Sequence, residues 1–344
     1  MAAPEPFLPG DLLPALSLPD AKGALFDLQH QSIAGLYRVL ILGNTPAAAQ
    51  IMQAEEAARE RQARIILVAD GKTGITRETE GPTRLVDADR KLFLGLGLPQ
   101  GGVAVISPRG RLSFAQAGDN ALKAALAVLP ETRAPVIRRS GAPVLLIPDV
   151  LEPEMIADML AHWERGEKLQ GRVAAAGADT GLITDIKRRT DVFLDDRTLY
   201  AAFQRRLERR VLPEMWRAFR FRAASFEAPR IGCYSAETAG GFGAHRDNRT
   251  PFTAHRRFAM SLNLNTGTYE GGTLRFPEFG PDSYEPAAGG CAIFCCDLLH
   301  EALPVTAGQR FAIFTFFTDA EGALQERKLI AEAAARGQKG VELR

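Results

Sequence analysis

At 344 residues the chain exceeds twice the usual size of a domain, about 100–150 residues, so its length favours two domains that each bury a core. Hydrophobic residues at 46%, charged residues at 24% and a mean hydropathy of -0.09 exclude disordered, collagenous and membrane-spanning classes. The 42 Lys and Arg nearly cancel the 41 Asp and Glu, for a net charge of +1, which removes the broad cationic surface of a protein that grips nucleic acid non-specifically.

The N-terminus, MAAPEPFLPGDLLPALSLPD, has no cationic stretch before an apolar one and is interrupted by Pro4, Pro6, Pro9 and Pro14, so no secretory signal is expected. No apolar run reaches membrane-span length, and the expected setting is cytoplasmic with no membrane partner. Tyr37 to Leu42 (YRVLIL) reads as a buried strand. Thr45-Pro46 then supplies an N-cap followed by proline at the first helical position, opening an Ala-rich helix over 47–62. Arg64 to Ala69, Leu85 to Val86 and Val103 to Ile106 are further strands, and a helix over 120–128 closes the unit. This alternation predicts an α/β layer with a parallel or mixed sheet.

The order PGDLLPALSLPDAKGALFDL, strand, helix, strand, DADRKLFLGLGL and VAVISPRGRL resembles the peroxiredoxin and thioredoxin-like fold over about residues 7–130. The resemblance implies a reactive cysteine where the first central strand meets its helix, because a helix N-terminus stabilises a thiolate. Here Asn44-Thr45-Pro46 occupies that place and no cysteine precedes Cys233. Residues 1–134 are therefore expected to form a thioredoxin-like domain without peroxidase or disulfide chemistry, a scaffold or a docking site for a protein partner.

Ala134 to Pro143 (APVIRRSGAP) has linker composition. Beyond it, Leu151, Met155, Met159 and Trp163 recur every four residues, the apolar face of a helix ending at Arg165. A second helix is expected from Asp196 to Phe219, with Leu199, Phe203, Leu207, Val211 and Met215 buried and Arg205, Arg206, Arg209 and Arg210 on the other face, either a solvated surface or an anion or partner site. From Arg230 the texture changes to short β-type runs, Ile231–Ser235, Phe258–Asn265, Thr273–Phe276, Ala292–Cys296 and Phe311–Thr318, as in an antiparallel jelly roll. The remaining residues, 320–344, read as a helical tail. The four cysteines, Cys233, Cys291, Cys295 and Cys296, lack zinc-ribbon or disulfide spacing. On apolar strands they read as small buried hydrophobes in a reducing compartment.

His245-Arg246-Asp247 places an imidazole and a carboxylate at i and i+2, on one face of an extended segment. His300, ending another strand, adds a second imidazole. Two histidines and one carboxylate leave coordination positions open, the arrangement suited to non-haem Fe(II) and oxygen chemistry. Arg310 lies ten residues on, across a turn at Pro304 and Ala307-Gly308, and is expected to project into the same interior. A buried guanidinium needs an anion, and a dicarboxylate meets that need when its far carboxylate is bound by arginine and its keto-acid end by iron. Tyr234 could add a hydroxyl. His30, His162 and His255 are read as non-ligands.

With the segment SLNLNTGTYEGGTLRF, these residues resemble the prolyl 4-hydroxylase-like branch of the 2-oxoglutarate and Fe(II)-dependent dioxygenases, over about residues 142–319. The resemblance implies a double-stranded β-helix with helical support, and iron on His245, Asp247 and His300. It further implies 2-oxoglutarate on Arg310 and Tyr234, with Asn263 as a polar cofactor contact and Phe316 as an apolar wall. The implied reaction takes O2, with ascorbate as an optional reductant, decarboxylates 2-oxoglutarate to succinate and hydroxylates a C–H bond of a peptidyl, prolyl or small amino-acid-like substrate. Arg246, Arg249, Arg256 and Arg257 form either a rim for an anionic substrate or ordinary solvated charges. Two other readings stay open: oxidative demethylation of nucleic acid as in AlkB-like enzymes, and a non-turnover sensor that binds a partner.

Overall fold

The computed structural model describes residues 5–20, 22–43, 46–71, 82–170 and 187–335; Asn44 and Thr45, read above as the start of the first helix, lie outside them. The chain divides into two compact units, Met1–Val136 and Ile137–Arg344.

In the first unit β1 (Tyr37–Leu42), β2 (Ala63–Ala69), β3 (Thr83–Val86), β4 (Gly102–Ile106) and β5 (Leu112–Gln116) form one sheet in the order β3-β2-β1-β4-β5. The pairs β1/β2 and β2/β3 are parallel, whereas β4 runs antiparallel to both β1 and β5. A strand such as β1, apolar on both faces but for Arg38, requires cover on both sides. Val39 and Ile41 pack with Ile51, Ala54 and Ala58 of α1 (Ala48–Glu60) and with Ala121 and Ala125 of α3 (Ala121–Ala127). Leu40 and Leu42 pack on the other side with Leu18, Leu28 and the residues Leu92 and Phe93 of α2 (Lys91–Gly95). Both α2 and β5 are absent from the sequence reading. Five residues are too few for a periodic signal, and α2 is held from outside: the buried Asp87 carboxylate accepts from the backbone N–H of Lys91, Leu92 and Phe93 at 3.1, 2.8 and 3.2 Å.

The second unit begins with β6 (Leu145–Ile147) and α4 (Pro153–Arg165), whose Met155 and Met159 are buried as the four-residue spacing requires. After β7 (Thr190–Phe193) comes α5 (Arg197–Arg206), capped by Asp196, whose carboxylate accepts from Leu199 N–H at 2.9 Å. The single helix expected over 196–219 is interrupted: Leu207–Val211 form a π turn before α6 (Leu212–Phe219). Pro213 has no N–H to donate back one turn, so the ladder is re-registered there. The arginine face also differs from expectation. Arg206 and Arg210 both bind Glu152 at the start of α4, Arg210 at 2.7 Å, and Arg210 is only 2% exposed rather than solvated.

Two antiparallel sheets follow. The larger one contains β6, β12 (Cys291–Cys295), β10 (Phe258–Asn263), β14 (Gln309–Thr318), β8 (Arg230–Ser235) and β7 in that order, with Leu169–Gln170 at its edge. The smaller contains Lys187–Arg188, β9 (Gly241–His245), β13 (His300–Ala302), β11 (Leu274–Arg275) and Ser283–Tyr284. Strand alternation sorts the larger sheet by face. Ile231, Met260, Leu262, Ile293 and Ile313 join the helices in the main core. Ala259, Ala292 and Phe294 turn the other way and pack with Leu274 and Phe276, closing the two sheets on each other in a jelly-roll sandwich. Register carries Gly232, Ala312 and Asn263 across this inner face in one row, and pairs Tyr234 with Arg310. The chain continues into α7 (Ala320–Ala335). Among the described residues no helix is long and apolar enough to cross a membrane.

Candidate metal centre

Strands β9 and β13 pair so that His245 stands opposite His300. A bulge between Phe242 and His245 shifts the register and stacks the two rings at 3.5 Å between centroids. Asp247 is not on the strand, as its i+2 spacing had suggested. β9 ends at His245, and Asp247 lies beyond it with its N–H donating to the Cys296 carbonyl at 3.0 Å. The three side chains nevertheless converge. His245 Nε2 is 3.4 Å from Asp247 Oδ1, and His300 Nε2 is 3.3 Å from Asp247 Oδ2. One ligand atom from each lies within 4.8 Å of the others.

The donor set fits a divalent first-row metal. His245 Nδ1 faces the Gly243 carbonyl at 2.7 Å and His300 Nδ1 faces that of Leu298 at 2.9 Å. Both contacts need a proton on Nδ1, which leaves each Nε2 lone pair for a ligand. Burial alone would raise the Asp247 carboxyl, but His300 and His245 outweigh it and hold the group well below the usual carboxylate range. Burial likewise works against a charged His300, and the adjacent Asp247 carboxylate more than offsets it, so His300 sits above the ordinary imidazole value. Cys296 is next to this site but is no ligand candidate: burial and then the Asp247 charge push its thiol well above the ordinary value.

Arg310 comes from the facing sheet and is 3% exposed. Its Nη2 donates to Asn263 Oδ1 at 2.8 Å and to Ser261 Oγ at 3.0 Å, while its Nε has no hydrogen-bond partner among the described residues. No carboxylate pairs with it among the described residues. Gly272 makes room for it: with φ at +64°, a Cβ there would lie 3.0 Å from Arg310 Cδ and 2.9 Å from Val305 Cγ2.

Asn263, expected at the cofactor, is the residue that aims Arg310, and its own Nδ2 donates to the Pro286 carbonyl at 3.1 Å and to Thr266 Oγ1 at 3.0 Å. Tyr234 lies beside Arg310, ring centroid 5.5 Å from the guanidinium carbon, but its hydroxyl accepts from Arg189 Nη1 at 3.4 Å. Ser261, Tyr269 and the Arg189–Asp191 pair escaped the sequence reading. Tyr269 Oη reaches Asn263 Nδ2 at 3.4 Å. Arg189 binds both oxygens of Asp191, one at 2.9 Å. Ser261 was findable, since it stands two residues from Asn263 on an otherwise apolar strand and so on the same face.

The four arginines around His245 are paired with carboxylates rather than arrayed as an anion-binding rim. Arg246 holds Glu278 at 2.6 Å, Arg249 holds Asp297 at 3.1 Å, Arg256 holds Glu227 at 2.8 Å and Arg257 holds Asp319 at 3.1 Å. Phe316 carries the Arg256 guanidinium on its face at 3.8 Å. His255 is buried against Glu227 at 3.2 Å, and His162 bonds the Phe193 carbonyl at 2.9 Å. His30 contacts Ser32 Oγ at 2.9 Å.

No protein-family model matches the chain. A PKHD-type hydroxylase from Pseudomonas putida is 26% identical over 183 residues, spanning 50% of this chain and 76% of that protein. Another, from Saccharophagus degradans, is 31% identical over 110 residues, spanning 30% of this chain and 48% of that protein. The crystal structure of a Pseudomonas putida prolyl-4-hydroxylase overlaps 52% of this chain and 92% of its own at 20% identity, with a TM-score of 0.38. The chain is similar to hydroxylases and, like them, is an enzyme. Its resemblance to prolyl 4-hydroxylase-like oxygenases, drawn above from His245, Asp247, His300 and Arg310, therefore has curated relatives of the PKHD type.

Proposed function

We propose that the second unit is a 2-oxoglutarate- and Fe(II)-dependent dioxygenase that hydroxylates a C–H bond of a peptidyl, prolyl or amino-acid-like substrate. The observation that carries this reading is the pairing of two features: a His-Asp-His cluster at the smaller sheet and, on the facing sheet, a buried Arg310 with no carboxylate partner among the described residues. His245, Asp247 and His300 hold the iron through Nε2 and carboxylate oxygen. Arg310 binds the far carboxylate of 2-oxoglutarate, its fork held at the proper angle by Asn263 and Ser261. With O2, the bound iron and keto-acid supply the oxidising chemistry that converts 2-oxoglutarate to succinate and CO2 and places one oxygen atom on the substrate. Phe276 and Phe294 pack around His300, with the Phe294 ring 4.6 Å away, and keep water from that side of the site.

Pairing of the neighbouring arginines with acidic side chains, together with a net charge of +1, favours this reading over nucleic-acid demethylation. In the same account residues 1–134 form a thioredoxin-like scaffold, because the mixed sheet flanked by helices fits that fold and no thiol stands before Cys233. The test is to load full-length protein with Fe(II) and 2-oxoglutarate in air and measure succinate, with and without prolyl peptides, while searching a lysate for products heavier by one oxygen atom. Succinate that rises with a peptide supports the substrate class. Succinate that rises only with single-stranded nucleic acid replaces it with the demethylase reading.

A further inference from the structure

The first unit holds a partly open pocket of about 170 Å³ whose walls include Leu28, Leu92, Leu96 and Ile106, all buried. Arg38 also lines it. On β1 Arg38 shares a face with Leu40 and Leu42, so strand alternation sends a guanidinium into the apolar layer. It is 2% exposed. Its Nη2 donates to the carbonyl of Ser107, just past β4, but its Nε has no partner, and no carboxylate lies within ion-pair distance among the described residues. Burial lowers its pKa, and the charge of Asp27 only partly counters this. A cation held this way leaves a desolvated donor unsatisfied, which is costly unless an acceptor reaches it. Water is a poor remedy: an ordered water needs two to four polar partners, and the lining is mainly hydrocarbon, with Gln29 and Lys91 its other polar side chains. A cavity of roughly 150 Å³ with such walls holds benzene, so this one has room for a body of about that size.

We propose that this pocket is a binding site for a small monocarboxylate with a compact apolar body, aromatic or branched, whose carboxylate accepts from Arg38 while its body lies against Leu28, Leu92, Leu96 and Ile106. Charge and hydrocarbon then match on both sides of the contact. The site belongs to the unit that carries no thiol and gives it a ligand-binding role independent of the metal centre. Its standing does not depend on the proposed oxygenase reaction.

Phenylacetate and its neutral analogue phenylacetamide test this on the full-length protein with Leu and Ile methyl groups isotopically labelled. Phenylacetate should saturably shift the methyl resonances of Leu28, Leu92, Leu96 and Ile106, and the amide should bind about tenfold more weakly or worse, since it loses the charge-assisted contact. Arg38→Met should lower phenylacetate affinity to that of the amide and leave the amide unchanged. The acid-to-amide comparison on the unaltered protein decides the matter even if that variant does not fold. Absence of saturable shifts at these four residues, equal affinity for acid and amide, or undiminished phenylacetate binding by a folded Arg38→Met variant would overturn the proposal.

Discussion

Arg310 stands on a strand of the inner face with two neutral hydrogen-bond acceptors, Asn263 and Ser261, and no counter-charge among the described residues. Removing it should therefore cost the ligand more than the fold. Arg310→Ala loses a charge-assisted contact worth about 1.5–3 kcal/mol, at least a tenfold weaker 2-oxoglutarate affinity, with iron binding largely kept. Arg310→Lys should fall between, because lysine keeps the charge and loses the fork. Asn263→Ala should give a smaller loss of the same kind, since it leaves Arg310 charged but poorly aimed. Titration of 2-oxoglutarate into the anaerobic Fe(II) protein measures all three, and unaltered affinity in a folded Arg310→Ala protein contradicts the assignment. At this scale the sequence was informative about which groups come together: His245, Asp247 and His300 converge and Arg310 is buried, and the chemistry assigned to them is the proposal that these experiments test. Tyr269 and Arg189 gave no such signal, because their roles arise from register and loop closure, which bring Tyr269 to Asn263 and Arg189 to Tyr234.

Elements reach their positions through packing that spacing alone only partly encodes. Gly232 is a case in point, because a Cβ there would lie 2.7 Å from Arg189 Cδ and 2.8 Å from Phe314 Cε2. Gly232→Ala should thus overpack the inner face by roughly 1–3 kcal/mol and displace Arg189 from its stack on Phe314, whose centroid is 4.1 Å from the guanidinium carbon. A melting temperature equal to or above the parent's would show that the strand yields without cost. The link between α4 and the α5–α6 segment gives a second prediction. Burial would raise the Glu152 carboxyl, but hydrogen bonds from Arg206 and Arg210 bring it down to about 2 from 4.5. A depressed carboxylate stabilises the fold above its unfolded value and loses that contribution as pH falls towards the folded one. After allowance for partial exposure, the clamp should contribute on the order of 1–3 kcal/mol above about pH 5 and fade by about pH 2. Denaturation of parent and Glu152→Gln between these limits should show a gap that closes on acidification; a gap independent of pH would remove the clamp. The arginine face was legible as basic but not as bound, because its partner lies more than fifty residues earlier in the chain. In the same way β9 escaped the strand pattern because Gly241-Phe242-Gly243-Ala244-His245 lacks the apolar alternation that marks the others.

At the scale of the whole molecule, the chain joins a unit whose described cysteine count is zero to one that gathers every cysteine and the metal-ligand cluster. Residues 1–136 alone should fold on their two apolar clusters and reduce no peroxide with thiol donors, because no thiolate is available to attack the peroxide oxygen; measurable peroxidase turnover by this fragment would contradict the scaffold reading. The two-part plan was visible in length, linker composition and the change from βα alternation to short strands, whereas the pairing order of the jelly roll was not, since non-local strand partners leave no trace in local pattern. The central claim is that His245, Asp247 and His300 hold ferrous iron for a reaction that consumes 2-oxoglutarate. Its most direct test is anaerobic Fe(II) and 2-oxoglutarate titration followed by exposure to O2, reading the metal-to-ligand charge-transfer band and then succinate, in parent and His300→Ala proteins. The parent should develop the band and form succinate while folded His300→Ala does neither; retention of iron, band and succinate by His300→Ala would contradict it.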